Sequence, residues 1–175
     1  MLKELFDRRS IRRYEDRPVE PEKLTELLRA AMNAPTARNT QGWRFLVLQD
    51  RSTLRDMTTL SPYTGMMASA GAAILVLADR EANPLEGYLL QDCAAAIENI
   101  LIEAVHQGLG ACWCGIAPRT ERIDAFRDYF HLPNRMLPVG IVALGYPAES
   151  RPREDQFDPE KVRYWTGASP EEEAI

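Results

Sequence analysis

The sequence predicts one domain that mixes helices and strands, and three segments carry that prediction. Residues 21–32 place apolar side chains at helical spacing, residues 71–79 form an apolar run of strand length, and residues 85–107 form a long helical pattern that ends at Gly108. The length of 175 residues fits a single domain. Helices that alternate with strands favour, from the pattern alone, a doubly wound parallel sheet.

The first half of the chain begins with an amphipathic helix and continues into strands. Pro21 stands at the start of that helix with Glu20 and Glu22 beside it, which is a favourable arrangement for a first helical turn. Residues 43–49 are predicted to form a strand. Residues 71–79 are apolar throughout, which is typical of a strand covered on both faces.

The second half contains the longest helix and two further strands. Residues 85–107 would span about 34 Å as a helix, and Gly108 stands where a glycine commonly ends one. Strands are predicted at residues 111–116 and 138–147. A helix at about residues 119–130 is predicted to separate them.

The composition excludes several classes of protein. A hydrophobic fraction of 45% with 27% charged residues is ordinary for a soluble domain, and the net charge of −5 argues against non-specific nucleic-acid binding. No apolar run reaches the roughly 20 residues of a membrane span, and the first residues lack a signal-peptide pattern. The three cysteines, Cys93, Cys112 and Cys114, lack metal-type spacing, so we expect reduced thiols in a cytoplasmic protein.

The motifs that bind phosphates in parallel-sheet proteins are absent from the sequence. In the stretch GLGACWCG, Trp113 occupies the third glycine position of a dinucleotide-binding motif, and the stretch ends a helix instead of opening one. No GxxxxGK[ST] motif is present either. The pattern therefore excludes a Rossmann or P-loop protein.

Two polar stretches are candidates for a binding site. RRSIRRY, at residues 8–14, sets Ser10 between two arginine pairs, and hydroxyl and guanidinium groups together suit a phosphate monoester. TARNTQ, at residues 36–41, crowds polar residues into the joint between two core elements. Taken singly, each stretch is also compatible with a solvent-exposed helix end or a turn.

The sequence offers few candidates for a protein nucleophile or a metal site. Cys112 and Cys114 flank Trp113 in a strand pattern and are expected to share one face of the core. His106 and His131 are expected at the surface and in a loop, and neither has a partner at metal-ligand spacing. No GxSxG motif is present. We therefore predict no metal and no catalytic side-chain nucleophile.

In combination, the polar stretches carry more information than either does alone. Arg-Arg-Ser-x-Arg near the start, a helix, and then Pro-Thr-x-x-Asn-x-Gln-x-Trp resemble the nitroreductase family of FMN-dependent oxidoreductases. The resemblance continues through QDCAAAIENILIEAVHQGLGACW, GIVALGYPAESRPR and FDPEKVRYW, in the same order along the chain. Gly42 departs from the family pattern, which often has Pro before Trp43, and Gln156 stands where an Arg is often found.

The resemblance implies an α+β fold with a mostly antiparallel central sheet, in place of the parallel sheet that the pattern favours. It implies a single domain over residues 1–175, with residues 149–175 as an extension that wraps the partner subunit of a homodimer. It also implies that FMN lies at the subunit interface. The polar joint at residues 36–41 would then be one wall of a cofactor site.

The resemblance also assigns roles to individual residues. Arg8, Arg9 and Ser10 would bind the phosphate and ribityl chain of FMN, and Arg12 would reach the N1/O2 edge of the flavin. Arg153 from the tail would complete the phosphate site.

The flavin ring is implied to lie between the two subunits. Gln41 would support the loop or a ribityl hydroxyl, and backbone groups of a strand would lie along the ring. In the tail, Arg151 could contact the phosphate in place of Arg153 or together with it. The implied ring contacts are Pro35, Thr36, Ala37 and Asn39 from one subunit and Cys114 and Gly115 from the other.

The implied activity is hydride transfer from NADH or NADPH, through flavin N5, to an electron-poor small molecule such as a nitroaromatic or a quinone, by a ping-pong mechanism. Residues 61–71, with Tyr63, Met66 and Met67, are candidates to shape the substrate pocket. The alternatives are specialised flavin chemistry on a metabolite, such as reductive dehalogenation or oxidation, a flavin-binding sensor or carrier without turnover, and a structural dimer. The sequence does not distinguish NADH from NADPH, because no motif for a 2′-phosphate is present.

Overall fold

The computed structural model describes residues 2–152, 155–165 and 167. Within these ranges the chain forms five α-helices and four strands, joined by loops and short 3₁₀ turns. The helices are α1 (Lys3–Asp7), α2 (Pro21–Met32), α3 (Arg51–Leu60), α4 (Glu86–His106) and α5 (Thr120–Tyr129). The strands are β1 (Trp43–Leu48), β2 (Ala72–Asp79), β3 (Gly110–Gly115) and β4 (Met136–Gly145).

The four strands form one sheet in the order β1-β2-β4-β3, and every neighbouring pair is antiparallel. The α+β fold with an antiparallel sheet is therefore confirmed, and the parallel sheet favoured by the pattern is wrong. Alternation of helices and strands does not fix strand direction. The segment that connects two strands can enter the second strand from either end of the sheet, which makes the pair parallel or antiparallel. Here each strand runs opposite to its neighbours in the sheet.

The sheet is covered on both faces, so β2 is buried at every position. Ile74 and Val76 face the core formed with α2 and α4, while Leu75 and Leu77 face the core formed with α3 and α5. Each such apolar side chain contributes roughly 1.5–3 kcal/mol by leaving water. This two-sided burial makes β2 and β4 a firm support for β3, which borders the candidate site.

Most element boundaries agree with the sequence prediction. α2 covers the predicted residues, and Gly108 follows α4 with a φ of 72°, as expected of a glycine that ends a helix. The pattern does not predict α3, because Ser and Thr fill much of it and only Leu54 and Met57 are buried. The signal for its start is Asp50, whose carboxylate accepts a hydrogen bond from the Thr53 N–H at 2.8 Å.

The two edges of the sheet differ. Along β3, Ser10 pairs with Ala111 in a parallel bridge, and the Ile11 N–H donates to the Ala111 carbonyl at 3.0 Å. The buried Tyr14 fixes this segment, because its hydroxyl donates to the Ile11 carbonyl at 2.6 Å. β1 pairs only with β2 among the described residues. The covered edge therefore positions the arginine-rich segment, whereas β1 presents unpaired backbone groups.

Candidate functional site

The arginines near the start of the chain line one cavity of about 480 Å³, which we call the arginine cavity. α1 ends at Asp7, and from Arg8 the chain is extended and enters the segment that pairs with β3. The C-terminal tail contributes the remaining wall. The described residues that line the cavity are Leu5, Phe6, Arg8, Arg9, Ser10, Arg12, Arg151, Gln156 and Phe157.

Acidic groups behind the cavity hold these cations in place. Arg8 Nε lies 3.2 Å from Glu98 Oε1 on α4. The backbone N–H of Arg12 donates to Glu149 Oε1 at 2.6 Å, which fixes the main chain at Arg12 and lowers the pKa of the Glu149 carboxyl. Arg151 Nη2 lies 3.7 Å from Glu149 Oε2. Four arginines and no acidic side chain are among the described residues that line the cavity, so its surface presents guanidinium groups while the carboxylates lie outside the lining.

A second cavity, of about 620 Å³, adjoins the first at Arg12, which lines both. We call it the thiol cavity, because two cysteines of β3 border it. The loop between α3 and β2 and the first turns of α5 form its other sides. The described lining residues are Arg12, Pro62, Tyr63, Gly65, Met66, Ser69, Cys112, Trp113, Cys114, Gly115 and Arg122.

Cys112 and Cys114 are buried on the same face of β3, as the alternation of the strand predicts. Cys114 Sγ lies 3.2 Å from the Tyr63 carbonyl oxygen and 3.7 Å from Met66 Sδ. Interaction between the two neighbouring thiols lowers the pKa of Cys112 and raises the pKa of Cys114. The positive charge of Arg12 also lowers the pKa of Cys112.

Trp113, between the thiols, also lines the thiol cavity, but its indole ring packs on the opposite face of β3 from the two cysteines. A Cβ added at Gly140 would lie only 2.5 Å from Trp113 Nε1 and 3.2 Å from Ile97 Cδ1. The absence of a side chain at position 140 therefore makes room for the indole ring against β4. Trp113 remains 38% exposed, which leaves part of its surface available to a ligand.

The polar loop, residues 35–41, lies next to β1 and far along the sheet order from β3. It is tied to the core by the Ala37 N–H, which donates to Asp92 Oδ1 of α4 at 3.0 Å. Within the loop, the Gln41 N–H donates to Thr36 Oγ1 at 3.2 Å. The first bond attaches the loop to α4, and the second fixes its conformation internally.

The backbone of the polar loop is strained. Arg38, Asn39 and Gln41 have φ values of 55°, 55° and 48°, in the left-handed region that residues other than glycine rarely adopt. Such conformations cost roughly 1–3 kcal/mol each and are concentrated at functional sites. The loop is therefore held in an unfavourable conformation by its surroundings.

The structure brings together the FMN-binding residues predicted in the first segment of the chain. Arg8, Arg9, Ser10 and Arg12 all line the arginine cavity. Arg153 lies outside the described residues. Its alternative in the tail, Arg151, lines the same cavity.

The residues predicted to contact a ring separate into two groups. Cys114 and Gly115 line the thiol cavity, whereas the polar loop lines neither that cavity nor the arginine cavity. Instead, Ala37 borders a small separate cavity of about 220 Å³ with Tyr88 of α4. Within one chain, the polar loop therefore stands apart from the cationic residues.

Sequence reasoning did not identify every lining residue. Tyr63 and Met66, from the candidate pocket stretch, do line the thiol cavity, whereas Met67 is fully buried in the core. Arg122 of α5 was not predicted at all. No local motif marks it, because its position depends on how α5 folds back beside the end of β3.

The two cavities, which share Arg12, suit a particular shape of ligand. Guanidinium groups and the Ser10 hydroxyl gather at one end and match a phosphate monoester. Backbone, sulfur and aromatic surfaces at the other end match a planar ring. Arg12, at the junction, would contact both parts of such a ligand.

No group of three His, Cys, Asp or Glu side chains among the described residues is arranged to hold a metal ion. Among the helices that the structure describes, none has both the length and the apolar character needed to cross a membrane.

An antiparallel α+β domain with an arginine-lined cavity beside one lined by backbone, sulfur and aromatic groups suits a phosphorylated planar cofactor. A model of the nitroreductase family matches residues 5–65 and 60–146. The chain therefore belongs to the nitroreductase family, which confirms the resemblance carried by its motifs.

Relatives from several organisms support this membership. An Archaeoglobus fulgidus protein provisionally named NADH dehydrogenase/NAD(P)H nitroreductase is 39% identical, over 92% of this chain and 95% of its own length. A crystal structure of a provisionally named NADH oxidase from Clostridium acetobutylicum is 40% identical, with a TM-score of 0.89, over 92% of this chain and 98% of that one. A provisionally named nitroreductase from Desulfovibrio desulfuricans, crystallised with FMN, is 31% identical, with a TM-score of 0.81, over 94% of this chain and 95% of that one.

Proposed function

We propose that the protein is an FMN-dependent NAD(P)H oxidoreductase that reduces electron-poor small molecules. The observation that carries the proposal is a pair of cavities that share Arg12, one lined by arginines and the other by backbone, sulfur and aromatic groups. Family membership supports the same conclusion. So do the relatives named for NAD(P)H nitroreductase activity and for a complex with FMN.

The arginine cavity would hold the phosphate of FMN. A buried phosphate loses hydration worth several kcal/mol, whereas a hydrogen bond to a charged group returns about 1.5–3 kcal/mol. Contacts from Arg8, Arg9 and Arg151 could therefore offset the loss, with the Ser10 hydroxyl as a further donor. The Arg12 side chain would place positive charge beside the ring, which favours an anionic reduced flavin.

The thiol cavity would hold the ring along the end of β3. Flavin supplies the hydride chemistry, so the protein needs no side-chain nucleophile of its own. Tyr63 and Met66 would exclude water from one side of the ring, and backbone groups of Cys114 and Gly115 would align it. We infer that NAD(P)H and the acceptor bind in turn over the same exposed face, which gives ping-pong kinetics.

The polar loop would complete the site from a second copy of the chain. Two observations support a homodimer: the unpaired edge of β1, and the exposure of Phe157, Tyr164 and Trp165 in the described part of the tail, at 72%, 86% and 81%. Large aromatic side chains seldom remain this exposed unless a partner covers them. We propose that the tail covers the partner subunit and that each site takes the polar loop of the other chain.

The absorption spectrum of the purified protein tests the function directly. We expect an oxidised-flavin spectrum that bleaches under anaerobic conditions when NADH or NADPH is added, and that returns when a quinone or nitroaromatic follows. With steady-state turnover, double-reciprocal plots should then be parallel, as ping-pong kinetics require. Colourless protein that does not take up added FMN would refute the proposal, and a flavin that never bleaches would favour a sensor or carrier.

A further inference from the structure

Arg122, in the first turn of α5, is fixed at the side of the thiol cavity by two contacts. Its Nη1 donates to the Gly115 carbonyl at 3.0 Å. Its guanidinium carbon lies 4.8 Å from the centroid of the Tyr63 ring, in a cation–π arrangement. The side chain is therefore held in one orientation before any ligand arrives, which reduces the entropy that a ligand must remove.

The charge of Arg122 is not neutralised by its described neighbours. Within those residues its contacts are the Gly115 carbonyl and the Tyr63 ring, and no carboxylate lies in ion-pair range. Asp124, on the same helix, pairs instead with Arg127 at 2.8 Å. No Asp or Glu is among the described residues that line the thiol cavity.

The hydrogen-bonding capacity of Arg122 is also largely unused. A guanidinium carries five N–H donors in a planar fork, and the described contacts use one of them. The remaining donors match the two oxygens of a carboxylate or sulfonate. The phosphate of a cofactor has its own set of arginines in the adjoining arginine cavity, which leaves Arg122 for a different anion.

We propose that Arg122, stacked on Tyr63, is a specificity-determining residue that binds an anionic group on the planar electron acceptor. This inference rests on the proposed function and adds the class of acceptor: aromatic compounds that bear a carboxylate or sulfonate. The flat part of the acceptor would lie over the cofactor in the thiol cavity. Its anionic group would then reach the side where α5 begins.

The test compares two acceptors of equal shape, 4-nitrobenzoate and 4-nitrobenzamide, with FMN-loaded protein at neutral pH. In a ping-pong reaction, kcat/KM for the acceptor reports only the second half-reaction, so effects on NAD(P)H cancel. Because a hydrogen bond to a charged group is worth about tenfold or more in affinity, Arg122→Gln should lower kcat/KM for the benzoate by that factor. The change should appear mainly in KM, and kcat/KM for the benzamide should stay as in the wild type.

Arg119→Gln is the matched control, because Arg119 precedes the same helix and is outside the cavity lining. It should leave the ratio of the two kcat/KM values unchanged. Arg122→Lys, which keeps the charge but not the fork, should recover part of the preference. The unreactive analogues benzoate and benzamide should repeat this pattern when their binding is followed by perturbation of the flavin spectrum. Arg122→Gln should weaken the binding of benzoate and leave the binding of benzamide unchanged.

Two results would overturn the inference. One is a ratio that Arg122→Gln leaves unchanged. The other is loss of FMN from Arg122→Gln and Arg122→Lys, seen as colourless protein, which would assign Arg122 to the cofactor. In either case wild-type protein that binds FMN and bleaches with NAD(P)H would leave the proposed function intact.

Discussion

The arginine cavity and the polar loop are both rich in polar residues, but they lie in different parts of the fold and border different cavities. The arginine cavity is assembled within one chain, from the segment after α1 and from the tail, and it adjoins the thiol cavity. The polar loop lies by β1, across the sheet from β3, and borders neither cavity. The two polar stretches that carry the family resemblance, residues 8–14 and 36–41, are thus separated in space within one chain.

The source of rigidity also differs between the two regions. Charged groups and a bridge to β3 position the arginines. The polar loop instead holds three residues at positive φ, maintained by the hydrogen bond to Asp92 and by Thr36. Strain that the fold retains at an exposed loop suggests a surface prepared for contact, and a second copy of the chain would supply the missing half of each site.

The largest expected effect comes from removing cations from the arginine cavity. Arg8→Ala combined with Arg12→Ala should weaken FMN binding by at least about 100-fold, because two hydrogen bonds from charged groups are lost at about 1.5–3 kcal/mol each. Fluorescence titration of the apoprotein with FMN measures the change. Arg29→Ala combined with Arg119→Ala removes equal charge from residues outside both cavities and should leave the affinity unchanged.

Equal affinity in the two double variants would mean that the arginine cluster is only surface charge. It would also remove the contrast between the two regions, because the arginine cavity would then not be a cofactor site. The circular dichroism spectra of both variants should match the wild type, since Arg8 and Arg12 are at most partly buried.

The part of the site that the sequence could predict is the part encoded by local motifs. Arg8, Ser10 and Arg12 share a short segment, so their convergence on one cavity follows from the chain itself. The burial of Cys112 and Cys114 on one face follows from strand alternation.

What the sequence could not predict depends on contacts between distant segments. The antiparallel direction of the strands depends on how the connecting segments run between them, and the hydrophobic periodicity within a strand does not predict it. Arg122 reaches the thiol cavity only because α5 folds back beside Gly115. Asp92 resembles any polar residue of a long helix until the Ala37 N–H is seen to meet it.

A mixed dimer can determine whether the polar loop acts within its own chain or on the partner. One chain carries Arg8→Ala with Arg12→Ala and an intact loop, and the other carries Thr36→Ala with Asn39→Ala and intact arginines. If the loop acts on the partner, one of the two sites contains only unaltered residues. The purified mixed dimer should then bind one FMN per two chains, measured by absorbance.

Each altered homodimer provides the control, because both of its sites are damaged and neither should retain the flavin. A mixed dimer that is as poor as these homodimers would show that the loop acts within its own chain. A protein that sediments as a monomer with FMN bound would contradict the dimeric site altogether.

The smallest expected effect concerns the tie between the polar loop and the core. Asp92→Ala leaves the Ala37 N–H without its acceptor, so the free energy of unfolding should fall by about 1–3 kcal/mol. Within a single chain the decrease should lie in the lower part of that range. Asp92 Oδ2 is buried without a hydrogen-bond partner among the described residues, so removing it also removes an unfavourable desolvation energy. Urea unfolding, with and without FMN, measures both effects.

Asn99→Ala separates loss of stability from loss of loop geometry. Asn99 lies on the same helix, and its Nδ2 donates to the Ala30 carbonyl at 2.9 Å, away from the polar loop. It should lower the unfolding free energy of the apoprotein and of the FMN-bound protein equally, because ligand binding adds a stabilisation set only by concentration and Kd. Asp92→Ala should in addition reduce the stabilisation that FMN provides, since a loosened loop raises Kd. An undiminished FMN stabilisation in Asp92→Ala would make the hydrogen bond purely structural, and the strain in the loop would then have no connection with the cofactor.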